Sequence, residues 1–186
     1  RAAARSAPDG TQLAGAVARM RYIDEVWGGR IGTRFSSPLA VREACGESDV
    51  VIGSVLVPGA RTPHLVDHEM VLGMVPGSVL VDVAVDQGGC FEDSHPTTHA
   101  DPTFVVGGSV FYCVAIMPGA VPHTSTYALT NATMRYVLLL ADEGWRGACG
   151  SRDDLRRGLA TCGGKLVSAP VGEALGIECV PVSEVL

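Results

Sequence analysis

One carboxylate draws attention by its setting. Residues 79–90 read V-L-V-D-V-A-V-D-Q-G-G-C. An apolar, β-branched run of this kind suits a strand buried on both faces of a sheet, and it halts at Asp86, Gln87 and two glycines. In open α/β sheets ligands lie beyond the carboxyl ends of the strands. A strand over 79–85 would therefore deliver the Asp86 side chain to a rim where chemistry can be done. Asp-Gln-Gly-Gly also makes an ordinary turn, with Asp and Gly suited to turn conformations, and both readings stand at this point. The six cysteines, at 45, 90, 113, 149, 162 and 179, form no C-x-x-C pair. Neither a zinc site nor a redox dithiol is indicated, and reduced, small apolar residues are expected.

The elements that must position Asp86 follow from the pattern around it. Val17, Met20, Ile23 and Val26 fall at helical spacing, and Gly28-Gly29 closes that helix. Arg30 to Phe35 reads as a strand. Ser36-Ser37-Pro38 reads as a helix start, a hydroxyl cap followed by proline, for a helix over 39–45. A strand over 49–56, a helix over 64–74 and the strand at 79–85 come next, then short strands at 103–106 and 110–114. A long helix over 125–143 closed by Gly144, a short helix over 151–160, a strand near 165–168 and a helix over 170–175 complete the chain. Residues 1–16 have weak periodicity and read as loop or frayed helix. Strand and helix alternating with short connections imply a parallel sheet with right-handed crossovers. The expected fold class is α/β, a partial Rossmann-like parallel sheet with flanking helices, followed by a long helix and a short α/β tail. The turn that would complete such a fold is missing: no G-x-G-x-x-G lies between a strand and a helix.

Composition excludes several classes. Of 186 residues 47% are hydrophobic and 18% charged, which favours a packed core over disorder. The net charge is −6 and no basic run occurs, so a nucleic-acid surface is not expected. No apolar stretch reaches the ~20 residues of a membrane span, and the N-terminal arginines precede no hydrophobic signal region. A cytoplasmic protein is expected.

Residues 20–175 resemble the C-terminal part of bacterial alanine dehydrogenases, NAD-dependent enzymes that interconvert L-alanine with pyruvate and ammonia. The resemblance rests on G-G-R-I-G-T-R-F-S-S at 28–37, V-L-V-P-G-A at 55–60, P-G-S-V-L-V-D-V-A-V-D-Q-G-G-C at 76–90, P-T-T-H at 96–99 and M-P-G-A-V-P-H-T-S-T-Y-A-L-T-N-A-T at 117–133. It implies NAD as cofactor. Asp86 would stand beside the nicotinamide and the substrate carbon, favouring the cation-like iminium or carbinolamine electrostatically. Val55 and Leu56 would form a wall against the adenosine or nicotinamide. Val83, Ala84 and Val85 would line the same crevice, and Val114, Ala115 and Met117 would cover the nicotinamide side. Ser36 resembles a hydroxyl contact at the adenine end, although a helix cap explains it equally well. Arg19 matches a basic residue near the ribose, or is a solvated helix-face arginine.

The chain departs from the family pattern at several points. Ala14 stands where an acidic residue would hold the ribose hydroxyls, Ile116 where asparagine is usual, and His95 where arginine is usual. Leu139 and Glu143 replace the Glu and His that hold a divalent ion in some members, so no metal is expected there. The family's proton-transferring His and carboxylate-binding Lys and Arg belong to an N-terminal substrate domain outside these residues. The five histidines (64, 68, 95, 99 and 123) match none of them and are expected at the surface. Three segments are expected: an atypical 1–16, a partial NAD-binding domain at 17–121, and a helix and tail at 122–186 that pack on the substrate domain in the family. A homo-oligomer, hexameric by resemblance, is expected. The sister transhydrogenase α-subunit family, or a non-catalytic NAD-binding module, remains the alternative.

Overall fold

The computed structural model describes residues 10–186, in two compact units. The first comprises the described residues up to Val55 together with Pro63–Ala115; the second comprises Leu56–Thr62 and Ile116–Leu186.

In the first unit, strand β1 (Gly10–Ala14) runs parallel to β2 (Ile31–Phe35), with helix α1 (Val17–Trp27) as the crossover. Over 10–14 this corrects the expectation of loop or frayed helix; residues 1–9 lie outside the described residues. Gly28, at φ 55°, ends α1 in the left-handed conformation that glycine adopts without steric cost. Helix α2 (Pro38–Glu47) is capped by Ser37, whose hydroxyl accepts the Ala40 amide at 3.2 Å. The cap is therefore Ser37 and not Ser36, because Pro38 occupies the first helical position and the cap must immediately precede it.

A second sheet has the order β3-β4-β6-β5, built from Val50–Gly53, Val79–Asp82, Ser109–Tyr112 and Thr103–Val106. Strands β3, β4 and β6 are parallel, and β5 pairs antiparallel with β6 as a hairpin. Between β3 and β4 lies helix α3 (His68–Leu72), shorter than the 64–74 the pattern suggests. Asp67 sets its start by accepting the Met70 amide at 2.7 Å, while Val66 is held extended in a bridge to Phe91. The fold is thus α/β with parallel sheets and flanking helices. In this unit it differs from the expectation in having two separately bonded sheets and one antiparallel strand.

The core of this unit is a cluster around Leu80, Phe91 and Phe111, each 1% exposed or less. Burying such side chains contributes roughly 1.5–3 kcal/mol each. The rings of Phe91 and Phe111 meet edge to face at 6.0 Å, and Phe104 stacks on Phe111 at 5.0 Å. Val41 and Cys45 bring α2 into this cluster, and Leu13 of β1 packs against it.

No ladder joins the two sheets. The Ala14 carbonyl accepts the Ser36 amide, so residues 10, 12 and 14 address β2, and Thr11 and Leu13 address the other side. The carbonyls of Asp49 and Gly53 accept from Val79 and Val83, so Val50 and Ile52 turn their backbone groups away from β4. Among the described residues neither edge finds a backbone partner, and the Ile52 side chain is 63% exposed.

The second unit is dominated by α4 (Pro122–Ser151), longer than the 125–143 expected and interrupted where expected. Gly144 has φ 67° and ψ 167°, which ends one helix and begins another. The tail holds α5 (Asp153–Gly158), the hairpin β7 (Thr161–Cys162) with β8 (Lys165–Leu166), and α6 (Ala169–Leu175). Asp154 accepts bonds from Arg152 and from the Tyr136 hydroxyl at 2.9 Å, and these partners hold its carboxyl below the usual range. No helix among the described residues is long and apolar enough to cross a membrane.

Candidate active site

Strands β3, β4 and β6 point the same way, so their carboxyl ends, at Gly53, Asp82 and Tyr112, lie along one rim of the sheet. Val55, the segment 83–90 and the segment 113–115 all follow directly from these ends. The strand register thereby collects Val55, Val83, Ala84, Val85, Asp86, Val114 and Ala115 on the rim where α/β sheets bind ligands.

The apolar run does not stay a strand as far as Val85. Asp82 is fully buried, and its Oδ1 accepts the Ala84 amide at 3.0 Å, curling the chain out of the ladder. A single 3-10 turn follows over Val85–Gln87, sealed by the Gln87 and Gly89 amides on the Ala84 carbonyl. Gly88 and Gly89 take φ of 105° and 82°, a backbone open to glycine. The chain then returns to Asp82, whose Oδ2 accepts the Cys90 amide at 2.8 Å and the Ser94 hydroxyl at 2.5 Å. Ala84 and Val85 point inward and are buried, whereas Val83 is 53% exposed and Asp86 faces solvent. An exposed carboxylate and an exposed isopropyl group therefore sit on one tightly wound turn. Sequence pattern singled out Asp86 but passed over Asp82 and Ser94. The available signal was a charged residue inside a run otherwise apolar.

The surrounding segments lock to this turn. The Val55 amide donates to the Cys90 thiol at 3.4 Å, and the Leu65 amide to the Cys90 carbonyl at 2.8 Å. Thr97 bridges to Val114, and the Ala115 amide donates to the Thr97 carbonyl at 3.2 Å. Val114 is buried, and Ala115 half-buried. Burial pushes the thiols of Cys90 and Cys113 up, so both behave as packing groups and not as nucleophiles.

Ser36 sits at the carboxyl end of β2. It borders an open groove of about 340 Å³ with Ser37, Pro38, Val41, His64, Leu65, Asp67, Met70 and Glu92. His64 links the groove to the Asp86 turn, its Nε2 lying 3.3 Å from the Gly88 carbonyl. Arg19 does not border this groove; it is exposed on α1 with its guanidinium 5.2 Å from the Tyr22 ring centre. Leu56 and Met117 belong to the second unit, the former 63% exposed and the latter half-buried. All five histidines are exposed; His68 is paired with Asp93 and His95 is stacked on Phe104 at 3.8 Å. Leu139 is half-buried, and Glu143 accepts the Ser151 hydroxyl.

The family model described as alanine dehydrogenase/PNT, C-terminal domain, matches residues 9–169. The chain belongs to this family. Among curated relatives, the alanine dehydrogenase of Mycolicibacterium smegmatis is 56% identical over 167 residues, covering 90% of this chain and 45% of the relative. That of Halomonas elongata is 52% identical over 176 residues, covering 95% and 47%. A solved L-alanine dehydrogenase superposes with a TM-score of 0.76 at 43% identity, covering 89% of this chain and 46% of that one. A transhydrogenase from Sinorhizobium meliloti, at 24% identity and a TM-score of 0.56, shares the fold over 63% of the chain. This alanine dehydrogenase/PNT domain thus spans about half the length of the curated relatives it matches.

Proposed function

We propose that this domain is the nicotinamide-binding portion of an NAD-dependent alanine dehydrogenase, which oxidatively deaminates L-alanine to pyruvate and ammonia. The observation that carries the reading is Asp86. A solvent-facing carboxylate is held on a braced turn at the ligand-binding rim of a parallel sheet, in a domain 56% and 52% identical to two of the alanine dehydrogenases above.

The residues present suit such a cofactor. Exposed Val83 offers an apolar surface for a flat ring, with Val55 and Ala115 as further apolar lining. Ala84, Val85 and Val114 act from beneath, as buried supports of the rim. Ser36 offers a hydroxyl at the adenine end and Arg19 a charge for the ribose side. NAD, when bound, accepts the hydride from the alanine α-carbon. Asp86 supplies a fixed negative charge next to the carbon that becomes cationic, and a preorganised charge in a site of lowered dielectric stabilises that species more than water would. Proton transfer and the grip on the substrate carboxylate fall to the portion of the enzyme beyond this domain. In this reading 17–121 forms the cofactor part and 122–186 the helix and tail that pack on the substrate part of a homo-oligomer.

The test is NADH titration by fluorescence, on the chain alone and on the chain rejoined to an N-terminal substrate portion. The chain alone should bind NADH weakly or not at all and should not oxidise L-alanine. The rejoined protein should do both, with Asp86→Asn lowering turnover roughly a hundredfold. Turnover by the isolated chain that depends on Asp86, or full activity of the rejoined Asp86→Asn protein, would falsify this reading. The second of these outcomes would favour a transhydrogenase-type module.

A further inference from the structure

We propose that Asp82 is a positioning residue for Asp86, acting with Ser94 as a buried clasp that fixes where the exposed carboxylate points. The inference rests on the reading of Asp86 above and adds what holds that residue in place.

The geometry is that of a loop closed from below. Asp82 is 0% exposed, and its two oxygens engage both ends of the turn, Oδ1 the Ala84 amide and Oδ2 the Cys90 amide. The Ser94 hydroxyl, arriving from a different part of the chain, donates to the same Oδ2. Between these anchors the backbone makes one 3-10 turn, and Asp86 is its central residue. Gly89 passes so close above the clasp that a β-carbon there would lie 2.9 Å from Oδ2 and 2.9 Å from the Ser94 β-carbon. No room remains for the turn to shift toward the sheet.

A carboxylate is buried in a core only when its hydrogen bonds are met, because desolvating it otherwise carries a large penalty. An apolar residue would fill the end of β4 more cheaply. What the carboxylate adds is geometry: two acceptor atoms with a fixed separation, joined to a rigid strand, set the distance between residues 84 and 90. Preorganisation of this kind keeps an electrostatic group on target during reaction, since misplacement by about 1 Å is costly. Asp82 itself is sealed from solvent and touches no reacting atom. Its influence runs through the turn.

The experiment uses the chain as it stands. Amide hydrogen exchange is followed residue by residue in the unmodified protein and in Ser94→Ala, Ser94→Thr and Asp82→Asn, with the chemical shift of the Asp86 side-chain carboxyl read by carbon NMR at one fixed pH in each. Ser94→Ala should speed exchange at Ala84, Gln87, Gly89 and Cys90 about tenfold or more and should shift the Asp86 carboxyl resonance. Exchange at Leu80 and Phe111, in the core strands, should stay unchanged. Ser94→Thr, which keeps the hydroxyl, should restore the original behaviour. Asp82→Asn places an amide NH2 donor against at least one of the donors that Asp82 now accepts, and should exceed the effect of Ser94→Ala. Equal acceleration across β4 and β6 would mean that Asp82 merely stabilises the core, and unchanged exchange in 84–90 would mean that it braces nothing; either result overturns the proposal. Loss of the Asp86 assignment itself would show in turnover of the rejoined Asp86→Asn protein, a separate readout from these.

Discussion

Gly89 lies directly over the Asp82 carboxylate, with space for a hydrogen atom and for nothing larger. Its φ of 82° is also closed to most side chains. Gly89→Ala should therefore destabilise the protein by about 2–4 kcal/mol, adding backbone strain to overpacking. Gly28 serves as the comparison, because its φ is likewise positive but nothing lies within 4 Å of its added β-carbon. Gly28→Ala should cost only about 1 kcal/mol. Urea unfolding midpoints of the two variants check the difference, and equal losses would show that contact with Asp82 is unimportant.

Ile116 is the one described non-glycine residue with positive φ, at 59° with ψ 52°. A β-branched side chain fits that region poorly, whereas asparagine tolerates it. Ile116→Asn should raise stability by about 1 kcal/mol, and the change should appear as a higher thermal midpoint. A lower midpoint would show that contacts of the isoleucine side chain outweigh the backbone strain.

His68 titrates against Asp93, with Nδ1 3.0 Å from both carboxyl oxygens, and that hydrogen bond raises its pKa above the ordinary 6.5. A group whose folded-state pKa is raised stabilises the fold below its unfolded value and ceases to do so as pH climbs through the folded value. Unmodified protein should therefore outlast His68→Gln by a larger margin at pH 5.5 than at pH 9. The pair is exposed, so the margin should shrink in high salt. A margin independent of pH would exclude a titrating ion pair.

The order of helices and strands from Val17 onward was legible because each element carries a local signal. Gly28 closes α1 and Gly144 breaks α4 through positive φ values that a missing β-carbon permits, and the ring of Pro38 opens α2. Strand β1 carries no such signal. Its residues G-T-Q-L-A contain one β-branched residue, and it is a strand because β2 pairs with it across a helix, a non-local cause. The strand at 79–85 reads too long for the opposite reason. Its apolar pattern continues through Val85, but the Asp82 side chain captures the Ala84 amide and turns the chain away. The candidate site was legible in Asp86, whose exposure at the rim follows from pattern and turn residues. Asp82 and Ser94 meet across a separation of twelve positions, which no local periodicity reveals.

The gap in hydrogen bonding between β1 and β3 divides the first unit into parts that need not melt together. Helix α1 buries Ile23, which lies outside the main cluster, and the β1–β2 pair is joined to that cluster by side chains such as Leu13 and by α2, without a shared ladder. Side-chain contact alone transmits cooperativity less firmly than a continuous sheet. The segment from Gly10 to Phe35 should behave as its own foldon, peeling away while Leu80 and Phe111 remain protected. In that partly open form trypsin should cut at Arg19, Arg21, Arg30 and Arg34, leaving the Asp86 turn intact on a smaller, still folded remainder.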